Sequence, residues 1–264
     1  EYLPRLSSKK RNELQDLKIE NISKIPKNFS LTDSQSKVFN ATKTGKIFCD
    51  DNFSAEIKKY NPPAYYFDFE TLSCTIPIIQ GLKPYERVPF QWSLHHLSND
   101  GKIQHWEFLA NEKNDFRRQM IEEFINIVHH NQDKIIVYNA SFEKSVLKEM
   151  GALFPDLQDK IDKIINRIVD LMVFIQKNFY HPLFNGSFSL KKVLPALLPH
   201  EEQYSEGGVS GGNEAQEQFY NLICNKYDKN KKEKVVHDLL AYCKKDTHSL
   251  ILIHQHLIKN YKEK

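Results

Sequence analysis

The chain has 264 residues, 40% hydrophobic and 12% aromatic, which is enough to bury a sizeable core as one domain with a small appendage. A formal charge of +3 excludes a protein whose overall field captures nucleic acid, so any basic groove has to come from local clustering. No apolar run approaches the roughly 18 residues that cross a bilayer, which excludes a helical membrane span. No signal-peptide core opens the chain. The four cysteines (Cys49, Cys74, Cys224, Cys243) contain no Cys-x-x-Cys pair, which argues against a zinc site and fits a reducing, cytoplasmic setting. The first residue is Glu1 rather than Met, as expected of a fragment or processed chain whose upstream module lies elsewhere.

Residues 1–30 are polar and rich in Lys and Asn, with breaks at Pro4 and Pro26. Residues 31–44 predict a short helix capped by Thr32 or Asp33 and stopped by Gly45. Together, residues 1–60 are expected to form a linker or peripheral helical arm, and Asn61-Pro62-Pro63 marks the start of a main domain over 61–264. The run Tyr65-Tyr66-Phe67-Asp68-Phe69-Glu70-Thr71 alternates as a strand does. Tyr66, Asp68 and Glu70 then share one face, and Tyr65, Phe67 and Phe69 the other. A loop from Cys74 to Pro89 precedes a second strand over 90–97. Asn99-Asp100-Gly101 predicts a hairpin turn into a third strand over 103–109. Phe116, Met120, Ile121, Phe124, Ile125 and Val128 form a helical stripe. Ile135-Ile136-Val137-Tyr138 is a short buried strand leading into a helix from Ala140 to Met150, closed by Gly151. The glycines of 207–212 lack the Lys-Ser/Thr of a phosphate loop and read as a mobile loop before a helix over 214–224. A hairpin followed by strand–helix alternation predicts an α/β fold with a mixed central sheet flanked by helices.

Three polar groups stand out. Asp68 and Glu70, side by side on a core strand, repel each other and resist desolvation, and a divalent cation relieves both problems. Hard oxygen donors favour magnesium or manganese over zinc. The competing explanation is a half-exposed strand whose outer face carries two acids. Glu143, in Asn139-Ala140-Ser141-Phe142-Glu143, falls in the first turn of a helix, where the macrodipole alone stabilises an acid by about 0.3–1 kcal/mol. Tyr242 and Asp246 are four apart on the last long helix and project together, either toward a metal and its water or as a surface Asp beside a half-buried Tyr.

In this order the three groups resemble the DEDD 3′–5′ exonucleases of the RNase H-like superfamily, and Tyr242-x-x-x-Asp246 resembles their tyrosine subtype. The likeness spans roughly residues 65–257. The segments Arg167–Leu171, Tyr180–Pro182 and Gly186–Lys191 look like an uncharacterised bacterial branch rather than any named member. The resemblance implies an RNase H-like domain that hydrolyses single-stranded DNA or RNA to nucleoside 5′-monophosphates with two Mg2+ or Mn2+ ions per site. Asp68 would bridge the ions, Glu70 and Asp246 would complete one shell, and Glu143 would hold the second. Tyr242 would orient the attacking water. The family usually has Asp where this chain has Glu143, so Asp170 stands as the alternative carboxylate. Thr71, Leu72, Asn139 and Phe142 would contact substrate, although Phe142, Val146 and Met150 are also core-spaced. Lys191 and Lys192, with His181, would meet phosphates or form a solvated basic face. The paired histidines His95-His96 and His129-His130 have no shared ligand spacing and receive no role. An upstream nuclease or helicase module is the implied partner. The rival readings are a catalytically degenerate nucleic-acid-binding module and a structural domain that serves a partner.

Overall fold

The computed structural model describes residues 3–77, 79–110, 114–201 and 209–261. In chain order these form α1 (Ser8–Asp16), α2 (Asp33–Thr44), β1 (Phe48–Cys49), α3 (Phe53–Ile57), β2 (Ala64–Ser73), β3 (Arg87–Leu97), β4 (Ile103–Leu109), α4 (Arg117–Val128), β5 (Lys134–Val137) and α5 (Ala140–Leu153). Then follow α6 (Gln158–Arg167), β6 (Ile168–Asp170), α7 (Leu171–Asn178), β7 (Phe179–Tyr180), α8 (Leu190–Leu197), α9 (Gly212–Ile223) and α10 (Lys229–Tyr261).

The chain divides into two compact units. The smaller holds the chain up to Lys59, Leu171–Glu201 and the chain from Ile253 onward. The expected break at residue 60 therefore coincides with a unit edge, but 171–201 and the end of α10 join the N-terminal segment instead of the sheet. Long-range pairing is the reason. β1 pairs antiparallel with β7, and the Phe53 ring packs 5.2 Å from Phe174, 6.2 Å from Phe179 and 6.1 Å from Tyr261. Within this unit α2 begins with the reciprocal Thr32–Gln35 capping box and ends at Gly45, whose φ of +67° suits glycine.

The larger unit holds Tyr60–Asp170 and the described residues up to Leu252. It is an α/β unit built on a mixed five-stranded sheet of order β4-β3-β2-β5-β6. β2, β3 and β4 form an antiparallel meander, and β5 and β6 run parallel to β2 and to each other. Both faces are covered by helices, in agreement with the expected fold class. On one face Tyr65, Phe67 and Phe69 of β2 and Trp92 and Leu94 of β3 meet the apolar stripes of α4, α5 and α6. The Phe67 and Phe124 rings stack at 4.3 Å; burying each such side chain is worth about 1.5–3 kcal/mol. α9 and α10 cover the other face. There Phe90 stacks on Phe219 at 4.0 Å, and the buried Gln91 amide donates to the Leu239 carbonyl at 2.7 Å.

Two local expectations change. α5 runs through Gly151 to Leu153, because Gly151 is a packing glycine and not a stop: a Cβ there would collide with the Gln158 side chain of α6. The loop expected over 207–212 ends early, since Gly211 caps α9 and Gly212 is its first residue. Gly207 and Gly208 lie outside the described residues.

Candidate metal centre

β2 is the middle strand of the sheet, and its alternation buries the aromatic face and turns Asp68 and Glu70 toward α10. On α10, Tyr242 and Asp246 are separated by about one turn. Ligand oxygens of Asp68, Glu70 and Asp246 lie within 4.8 Å of one another, with Glu70 buried and the other two half-buried. Burial first, and then the Asp246 charge, pushes the Asp68 carboxyl well above the usual carboxylate range; the Cys243 thiol and the Phe69 N–H pull it partly back. The Tyr242 phenol is driven upward by burial and by Asp246, Glu70 and Asp68, and it hydrogen-bonds Asp246. It therefore keeps its proton. Three crowded acids in a poorly solvated place carry a standing electrostatic cost that a divalent cation removes, and their hard oxygens suit Mg2+ or Mn2+.

Glu143 stands beside this trio and Asp170 is otherwise engaged. Glu143 is 1% exposed, and its Oε2 has no hydrogen-bond partner. Burial first, then Asp68 and Asp170, lifts its carboxyl to about 9. An orphaned buried carboxylate oxygen next to three acids is where a second cation would find its ligand. Asp170 Oδ2 instead accepts the Ala140 N–H at 2.8 Å, capping α5 across the β5–β6 pair. Its role is to satisfy a helix N-terminus that Asn139 leaves without a side-chain cap.

The remaining expected residues are spread more widely. Thr71 and Leu72 are buried (8% and 3% exposed), and Leu72 packs in the apolar cluster with Val88 and Phe90. Asn139 takes φ +98° at the strand–helix junction, and its side chain accepts from Ser141 Oγ at 2.6 Å. Asn tolerates this left-handed backbone, so the residue is explained by the turn it makes. Phe142 is half-buried against the core, with the Arg87 guanidinium 5.3 Å from its ring centre. Lys191 is an exposed residue of α8, in the smaller unit.

The structure adds residues that the sequence reading left unassigned. Register sets Glu70 opposite Gln91, Asp68 opposite Ser93 and Tyr66 opposite His95, so Gln91, Ser93 and His95 share the acids' face. Gln91 Oε1, like Glu143 Oε2, is buried with no partner. Thr247, the residue after Asp246, is fully buried, with its hydroxyl 2.8 Å from both Ser93 Oγ and His95 Nδ1. Cys243 Sγ lies 3.9 Å from the Asp68 carbonyl and from Asp68 Oδ2. The available signal was the period-2 spacing of Gln91, Ser93 and His95 between Trp92 and Leu94.

Comparison with known proteins places residues 65–189, slightly under half of the chain, in a match to a domain of unknown function (DUF2779). The uncharacterized protein MG366 of Mycoplasma genitalium is 27% identical over 231 residues, covering 79% of this chain and 34% of its own length. Its homolog in Mycoplasma pneumoniae is 27% identical over 224 residues, with 78% and 34% covered. The uncharacterized protein UU173 of Ureaplasma parvum is 26% identical over 209 residues, with 71% and 30% covered. The chain thus spans about a third of the length of these curated relatives. No solved structure matches.

Proposed function

We propose that the sheet unit is a metal-dependent 3′–5′ exonuclease of the DEDD type, tyrosine subtype, acting on single-stranded DNA or RNA. The observation that carries this reading is the convergence of Asp68, Glu70 and Asp246 oxygens within 4.8 Å, with a protonated Tyr242 one turn from Asp246. Mg2+ or Mn2+, two per site, would supply Lewis acidity and a nucleophilic water at neutral pH. Asp68, central in the trio, is the shared ligand. Glu70 and Asp246 flank it, and Glu143 Oε2 is the free donor for the second ion. Tyr242 holds its proton too tightly to act as a base, so it positions the attacking water by donating a hydrogen bond. The product is a nucleoside 5′-monophosphate released from the 3′ end. The four free cysteines support a reducing, cytoplasmic setting. The greater length of the relatives supports a companion nuclease or helicase module.

The test is a gel assay with 5′-labelled single-stranded DNA and RNA, in Mn2+ or Mg2+ against a chelator. The wild type should produce a metal-dependent ladder shortening from the 3′ end. Asp68→Ala should reduce it to background while retaining the thermal transition. Activity retained by Asp68→Ala would overturn the assignment. Oligonucleotide binding without turnover in any divalent ion would mark the degenerate binding module.

A further inference from the structure

Among the described residues, the two most exposed large apolar side chains are Ile76 (72%) and Tyr85 (69%). Both line one open groove of about 410 Å³ in the sheet unit, with Leu72 and Ser73 at the end of β2 and Gln216 and Tyr220 on α9. Apolar side chains this exposed, gathered on one surface, mark a place where something apolar binds.

The groove is continuous with the carboxylate cluster through two elements. β2 carries Glu70 and ends at Ser73, about 10 Å further along the strand. α9 begins at Gly212, where a Cβ would sit 3.5 Å from Glu70 Oε2, and reaches Tyr220 about 12 Å later. Ser73 N–H donates to Gln216 Oε1 at 3.3 Å, tying the two elements at the groove. The Lys226 ammonium lies 4.8 Å from the Tyr220 ring centre. Two aromatic faces, an aliphatic wall and a cation are the ingredients that hold unpaired bases and their phosphates. Acidic or aliphatic peptides would not call for this combination beside a metal centre.

We propose that this groove is a stacking subsite for the unpaired bases that precede the scissile linkage, with Tyr85 and Tyr220 as the platforms and Lys226 meeting the backbone. The subsite rests on the exonuclease reading above, which supplies the single-stranded substrate. It makes the enzyme selective for strands whose terminal bases are free to unstack.

The experiment uses the whole chain with a fluorescein-labelled oligothymidylate whose 3′-terminal linkages are phosphorothioates, titrated by anisotropy in Mn2+. Mn2+ binding is measured separately by calorimetry. Tyr85→Ala and Tyr220→Ala should each weaken oligonucleotide binding roughly tenfold, the order expected for one lost base stack. The Phe variants should bind as wild type, and Mn2+ affinity should not change. Abasic nucleotides near the 3′ end should weaken the wild type similarly, a readout independent of any variant. If wild type binds Mn2+ and oligonucleotide but neither the Ala variants nor the abasic strands lose affinity, the groove is not the subsite and the exonuclease reading stands. If wild type binds neither, the exonuclease reading fails and the subsite with it.

Discussion

Glu143 occupies a position where a carboxylate ordinarily loses its charge, and this has a measurable consequence in metal-free protein. Its folded value of about 9 lies above the ordinary 4.5, so the folded state binds the proton more tightly than the unfolded state does. The favourable contribution is complete below about 4.5 and is lost as pH rises toward 9. In chelator, Glu143→Gln should therefore raise the melting temperature at pH 8 and leave it nearly unchanged at pH 4. A shift of about 2–4 °C is expected for each kcal/mol relieved. The same substitution removes a donor, so it should weaken Mn2+ binding by calorimetry. Stability at pH 8 unaffected by the change would mean that the carboxyl is already solvated or paired. In sequence, Glu143 was legible only as an acid in a first helical turn; its desolvation beside Asp68 is a property of the packed unit.

At the scale of elements, the rotation of α10 about its own axis decides whether Tyr242 and Asp246 face β2. Thr247 controls that rotation. Its hydroxyl is held by Ser93 and His95 on β3 and reaches back to the Cys243 and Lys244 carbonyls at 3.3 and 3.1 Å. Thr247→Val keeps the shape and deletes the hydroxyl, leaving two buried polar partners unsatisfied. A loss of about 1–3 kcal/mol is expected by denaturant titration, with weaker Mn2+ binding; Thr247→Ser should restore both. If Thr247→Val leaves Mn2+ affinity untouched, Asp246 is positioned by apolar packing alone. Capping and periodicity made most elements legible. Thr32, Gln35 and Gly45 bound α2 as written in the chain, whereas Gly151 looked like a terminator because its neighbour Gln158 is met only after α5 and α6 pack.

Across the whole molecule, buried histidines set the acid limit. His95 is lowered to about 3 by burial, then by His105, His248 and Lys244. His105 is lowered to about 4 by burial, Lys244 and His248, and His254 to about 4 by burial. Each is neutral when folded and titrates near 6.5 when unfolded. The stability they contribute is present above 6.5 and declines as pH falls toward 4. The melting temperature should therefore fall between pH 6.5 and pH 5, before most carboxylates protonate, and His95→Gln should flatten that slope. An unchanged melting temperature over this interval would show that these rings are protonated in the folded state.

Sequence by itself determined what local rules govern: alternation on β2 that separates aromatics from acids, the apolar stripe of α4, the caps of α2, and the α/β class that follows from hairpin and strand–helix order. It also placed Asp68, Glu70, Tyr242 and Asp246 on the faces from which they meet. Only the tertiary structure decided that Asp170 caps α5 while Glu143 is left with a buried, unpartnered oxygen. It likewise decided that Gln91, Ser93 and His95 stand opposite the acids, and that residues 171–201 leave the sheet for the N-terminal unit. Each of these depends on strand register or on contact between segments far apart in the chain, and neither is encoded in the spacing of residues within any one segment.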